Sequence, residues 1–101
     1  MDEVDPEIES RLRQLLAEMT SQEGVEFHGL RHRNAGSTVW VEFHLLFPKG
    51  TSLESAHALA TRIEERIAQA LGMRAEVISH LETLEDHAEV HARQHFERFP
   101  E

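Results

Sequence analysis

The 101 residues carry 19 Asp plus Glu against 10 Lys plus Arg, a formal charge of -9. That field repels phosphate backbones, which excludes nucleic acid as an expected partner, and it favours cations. The length suits one domain with a single modest core, and no apolar run approaches the roughly 20 residues of a bilayer span.

Residues 1–101 therefore read as one domain, with a core over 6–82 and a terminal helix or tail over 83–99. The opening MDEVDPEIE lacks the basic and apolar regions of a signal peptide, so a soluble cytosolic chain is expected. Cysteine is absent, which rules out disulfides and thiolate ligands. Histidine, at eight residues, becomes the main borderline metal ligand.

Asp5-Pro6 has the form of a helix start, with Asp as N-cap, Pro at the first helical position and Glu7 and Glu9 in the first turn. Ile8, Leu12, Leu15, Leu16 and Met19 follow as an apolar stripe, and Gly24 is the expected stop. Val25–Arg33 reads as a strand that Gly29 interrupts, the mark of a bulge. Asn34-Ala35-Gly36 is the expected turn into a second strand, giving a hairpin.

The second strand, Ser37–Phe47, has the clearest pattern in the chain. Val39, Val41, Phe43, Leu45 and Phe47 alternate with Trp40, Glu42, His44 and Leu46, the period of a half-buried strand. Pro48 and Gly50 end it. Thr51 and Glu54 have capping-box spacing, and Ala56, Ala60, Ile63, Ile67 and Leu71 form the stripe of a long helix that stops at Gly72.

Arg74–Glu82 is the third strand. A strand–helix–strand unit prefers a right-handed crossover, which puts the third strand in the sheet of the second. The expected fold is α+β: an αββαβ sandwich with both helices on one face of a mixed sheet. Thr83 and Asp86 offer a further cap, and Leu84–Phe99 is expected as an additional C-terminal helix with a ragged apolar pattern.

His80 and Glu82 share one strand face, as do Glu42 and His44, and the hairpin can bring His28 near His44. Imidazoles with a carboxylate and no thiolate suit Zn(II), with Ni(II), Co(II) and Cu(II) as competitors. Taken singly, each histidine is better explained as a structural polar-face residue than as a ligand, and the spacing alone supports only a candidate divalent-metal site. His87, His91 and His95 stand at i, i+4 and i+8 on the terminal helix and form a separate candidate cluster. HAEVH departs from the zincin motif, because Ala88 stands where the glutamate is required, and this disfavours a hydrolase. The alternative for this helix is a solvated acidic surface with incidental histidines.

The motifs FHGLRHRNAGSTVWVEFHLLF, SLESAHALATRIEERI and EVISHLE, in that order after an amphipathic helix, resemble the cytoplasmic C-terminal domain of the cation diffusion facilitators. These are proton-coupled zinc and manganese transporters. The resemblance covers about Pro6 to Glu82. It implies a metallochaperone-like, ferredoxin-like αββαβ fold, a two-fold homodimer, and divalent cations bound between subunits so that the pair closes. By position it implies His28, His44, His57, His80 and Glu82 as metal ligands, with Glu82 where many members have Asp. Gly29 stands where members often have an acidic residue, and Thr83 where many have Pro.

A non-enzymatic regulatory and dimerisation domain that binds zinc is the expected function, attached to the membrane transport domain of its family if the chain is a fragment. It would then lie at the inner face of a membrane. The alternatives are a free-standing cytosolic protein that buffers or delivers zinc, and a small ferredoxin-like enzyme or ligand module. The exposed apolar face expected of Trp40 and Leu46 also favours a dimer formed before metal binds.

Overall fold

The computed structural model describes residues 5–84, so the expected terminal helix with His87, His91 and His95 lies outside the described residues. The elements are α1 (Pro6–Ser21), β1 (Glu26–Ala35), β2 (Thr38–Phe47), α2 (Leu53–Leu71) and β3 (Arg74–Thr83). The sheet order is β1-β2-β3, antiparallel between β1 and β2 and parallel between β2 and β3. This is the expected αββαβ arrangement.

The Asp5 carboxylate accepts from the backbone N–H groups of Glu7 and Ile8 and so caps α1. The helix ends at Ser21, before Gly24, and the Val25 N–H closes the turn on the Thr20 carbonyl at 3.0 Å. The hairpin turn is also shifted from its expected place. Asn34 and Ala35 pair with Val39 and Thr38, leaving a two-residue turn at Gly36-Ser37 in which Gly36 supplies a φ of 66°.

The α2 cap falls one residue later than Thr51. Ser52 Oγ accepts from the Ser55 N–H at 3.0 Å, while Thr51 Oγ1 donates to the Pro48 carbonyl at 2.7 Å and tightens the preceding turn. Adjacent hydroxyls have divided two jobs between them. At the far end Gly72 adopts the left-handed C-cap conformation, and Arg11 of α1 donates to the Ala70 carbonyl at 3.2 Å.

Both helices cover one sheet face. Leu12 and Leu16 of α1 and Leu59, Ile63 and Ile67 of α2 join Val39, Val41, Phe43 and Leu45 of β2 in one buried cluster. Leu46, on the other face, is buried rather than exposed. Its lateral neighbours are Glu26 of β1 and Glu82 of β3, so its place on the central strand leaves it flanked on both sides. The exposed large apolar residues of the open sheet face are Trp40 and Ile78.

A polar clasp joins α1 to β1. His32, whose side chain is only 2% exposed, donates from Nε2 to Glu9 Oε1 at 2.6 Å. The Arg13 side-chain hydrogen bond, then that of His32, hold the Glu9 carboxyl below its ordinary value of 4.5. A lowered folded-state value means stability that is present above 4.5 and lost as pH falls through it. Glu9→Gln should therefore cost about 1 kcal/mol at pH 7, a charged hydrogen bond discounted for partial exposure. Urea unfolding should show the gap to wild type narrowing below pH 4.5. A constant gap would mean that the carboxylate charge plays no part.

Candidate metal centre

Register across the three strands builds the centre. His28 of β1 is the Cα partner of His44 of β2, and His44 is the partner of His80 of β3. Three imidazoles thus stand abreast on the sheet face that the helices leave open. The His28 and His44 ring centroids are 5.0 Å apart, and the His44 and His80 rings stack at 4.6 Å.

Two carboxylates cross between the strands. Glu82 follows His80 by two residues on β3 and accepts from His44 Nδ1 at 2.8 Å. Glu42 precedes His44 by two on β2 and accepts from His80 Nε2 at 2.7 Å. β2 and β3 therefore each supply one imidazole and one carboxylate, and each carboxylate holds the other strand's imidazole. The hydrogen bond from His80 pulls the Glu42 carboxyl below 4.5, with the nearby Arg31 guanidinium adding to it.

Ligand atoms of His28, His44 and Glu82 all lie within 4.8 Å of one another. A tetrahedral ion with bonds of about 2.0–2.2 Å holds its ligand atoms roughly 3.4 Å apart, so a small side-chain movement brings these three together. Two nitrogens and one carboxylate oxygen, with no thiolate, fit a borderline divalent ion. His80 stacks beside this group and is held by Glu42. His57 is set apart. It is exposed on α2, whose inner side is committed to the core on the far sheet face, and it joins no ligand cluster among the described residues.

The pairing of Glu42 with His80 was not foreseen from the sequence, although the shared face of Glu42 and His44 was the available signal. The His32–Glu9 clasp had no such signal, since a histidine inside RHR gives no hint of burial. Beside the centre, Arg31, Arg33, Trp40, Glu42 and Ile78 line a shallow hollow of about 230 Å³.

A two-layer α+β domain with an imidazole row on its open sheet face is thus defined. Residues 4–84 match the family described as the cytoplasmic domain of cation efflux proteins, and the chain belongs to this family. It is 40% identical over 79 residues to an uncharacterized transporter of Synechocystis, a match that takes in 77% of this chain and 24% of that protein. The chain thus spans about a quarter of the length of the curated relative it matches.

Among solved structures, CzrB is 33% identical with a TM-score of 0.74, over 80% of this chain and 98% of that one. The Zn form of CzrB is 32% identical with a TM-score of 0.76, over 84% and 94%. The metal-bound C-terminal domain of the CzcD transporter from Thermotoga maritima shares the fold at 19% identity and a TM-score of 0.66, over 80% and 95%.

If His80 is what lowers the Glu42 carboxyl, His80→Ala should return its titration toward 4.5. Carbon-13 NMR of the side-chain carboxyls in the metal-free protein reads this directly. A Glu42 midpoint that stays where it was would show that the crossed pair does not form in solution.

Proposed function

We propose that this chain is a divalent-metal-binding regulatory and dimerisation domain of a cation efflux transporter, with zinc as the preferred ion. The observation that carries the reading is the convergence of His28, His44 and Glu82 ligand atoms within 4.8 Å on an open sheet face. These three hold one cation within the subunit. His80 extends the ligand row, and His57, exposed on the other layer, contributes from a second copy of the chain. The relatives' membership of transporter families and the Zn form of CzrB support the same reading.

The dimer uses the open face. Trp40 and Ile78 are 41% and 50% exposed there, beside the hollow that Arg31 and Arg33 also line. Each subunit has a formal charge of -9, so two acidic surfaces facing one another repel. A cation coordinated from both copies offsets that repulsion through bonds that exist only in the closed pair. Coupling of about 1–3 kcal/mol is the usual scale and suffices to change the dominant state. The domain works at the cytoplasmic side of a membrane, beside the transport domain whose activity it adjusts, and it catalyses no reaction of its own.

Zinc titration of the metal-stripped protein, followed by calorimetry, Trp40 emission and X-ray scattering, tests this. Zn(II) should bind more tightly than Mn(II), which prefers oxygen ligands, and the radius of gyration of the dimer should fall. His44→Ala and Glu82→Ala should abolish the compaction, while His57→Ala should weaken it and spare binding within the subunit. Compaction that survives His44→Ala would place the regulatory ion elsewhere.

The affinity should also fall steeply as pH drops through about 6.5, because the ligating imidazoles must be neutral. Affinity that stays flat down to pH 5 would point to carboxylates alone.

A further inference from the structure

Between the pairs His28↔His44 and Arg31↔Glu42, β1 uses two residues, Gly29 and Leu30, where β2 has only Phe43. This bulge changes which face each side chain takes. Strict alternation would put His28 and Arg31 on opposite faces; with one extra residue both face outward, while Phe27 and Leu30 pack against the core. The backbone makes the bulge at Gly29, with φ at +68°, a region that residues with a side chain rarely adopt.

Gly29 also lies against the centre. A Cβ at this position would stand 3.1 Å from His44 Cδ2, 3.8 Å from Nε2 and 4.0 Å from Cγ. It would therefore press on the ring edge opposite the Nδ1–Glu82 hydrogen bond. On its other sides the ring meets His80, stacked at 4.6 Å, and His28 at 5.0 Å, so a shift of His44 disturbs its contacts with both. Relief of the contact needs a shift of a few tenths of an ångström. Metal sites hold ligand distances to about 0.2 Å, so a displacement of that size matters to coordination.

We propose that Gly29 is a positioning residue for the centre: its missing side chain lets the His44 imidazole lie against the β1 backbone, in register with His28 and Glu82. A Cβ added at position 29 on this backbone meets the His44 ring. This inference rests on the cation-binding reading of the same centre.

Gly36 provides the control. Its φ is +66°, nearly that of Gly29, and a Cβ there meets nothing within 4 Å. Gly36→Ala should therefore lose in urea unfolding only what the φ costs and Gly29→Ala at least as much, while only Gly29→Ala should disturb the centre. Long-range nitrogen-15 to proton NMR of the metal-free protein reads the His44 ring and its Nδ1 proton. Calorimetry with Zn(II) alone reads affinity. Gly29→Ala should shift the His44 signals and weaken Zn(II) binding about 10–100-fold, the usual effect of disturbing what orients a ligand. In a His44→Ala background, Gly29→Ala should have no further effect on affinity.

Should Gly29→Ala fold poorly, Gly29→Asn introduces the same Cβ with a residue that tolerates this φ better. Unmoved His44 signals with wild-type affinity in either variant overturn the proposal, as does an equal loss of affinity in Gly36→Ala. If wild type binds no Zn(II), the cation reading alone fails. The imidazole spectra then still decide whether Gly29 places His44.

Discussion

The structure depends on β2 burying one face completely. Val39, Val41, Phe43 and Leu45 are at most 2% exposed, and both helices close over them. Because side chains alternate, a slip of one residue would send Trp40, Glu42 and His44 under the helices. Burying an unpaired Glu42 carboxylate would cost several kcal/mol, and the lost apolar burial would add to it. The hydrophobic core thus locks the register of the sheet. The imidazole row on the opposite face inherits its alignment from that lock, with no interaction of its own needed to choose it.

Two further alignments bring the row together, and each has a local cause. On the antiparallel side the extra residue at Gly29 keeps His28 outward while Phe27 and Leu30 stay inward. On the parallel side α2 returns the chain so that Arg74 meets Thr38, after which His80 falls opposite His44 and Glu82 opposite Leu46. The Ser79 hydroxyl, donating to Glu64 Oε2 of α2 at 2.9 Å, ties helix and strand together next to His80.

This is why the fold was more legible in the sequence than the centre. The alternation of β2 and the stripes of the two helices are local patterns, and a right-handed crossover followed from their order. The histidines are separated by long stretches of chain, so only the register could gather them. Spacing suggested that Glu42 and Glu82 share faces with His44 and His80; it could not show that the pairs are crossed. Exposure was harder still. Leu46 alternates as Trp40 does, yet it is buried, while Ile78 takes its place on the open apolar surface. The Thr51–Ser52 pair offers two adjacent hydroxyls, either of which satisfies a helix-start pattern, and geometry alone divides the roles.

The crossed carboxylates also bear on what a cation can do here. His44 and His80 each donate to a carboxylate from the neighbouring strand, so the polar groups of the row have partners within the chain. Among the described residues, the core on the other face is apolar apart from Thr20, whose hydroxyl donates to the Leu16 carbonyl at 2.7 Å, and the buried His32 side chain, which donates to Glu9. Small metal-dependent domains that lack such a core fold only when the ion arrives, and the binding free energy is consumed in folding. Here the subunit has a hydrophobic core of its own. On the proposed reading, a cation held by His44 and Glu82 would replace their Nδ1 hydrogen bond, and little of its binding free energy would be needed to order the subunit. On that reading the free energy would remain available to distinguish two arrangements of already folded subunits, as regulation by a bound ion requires.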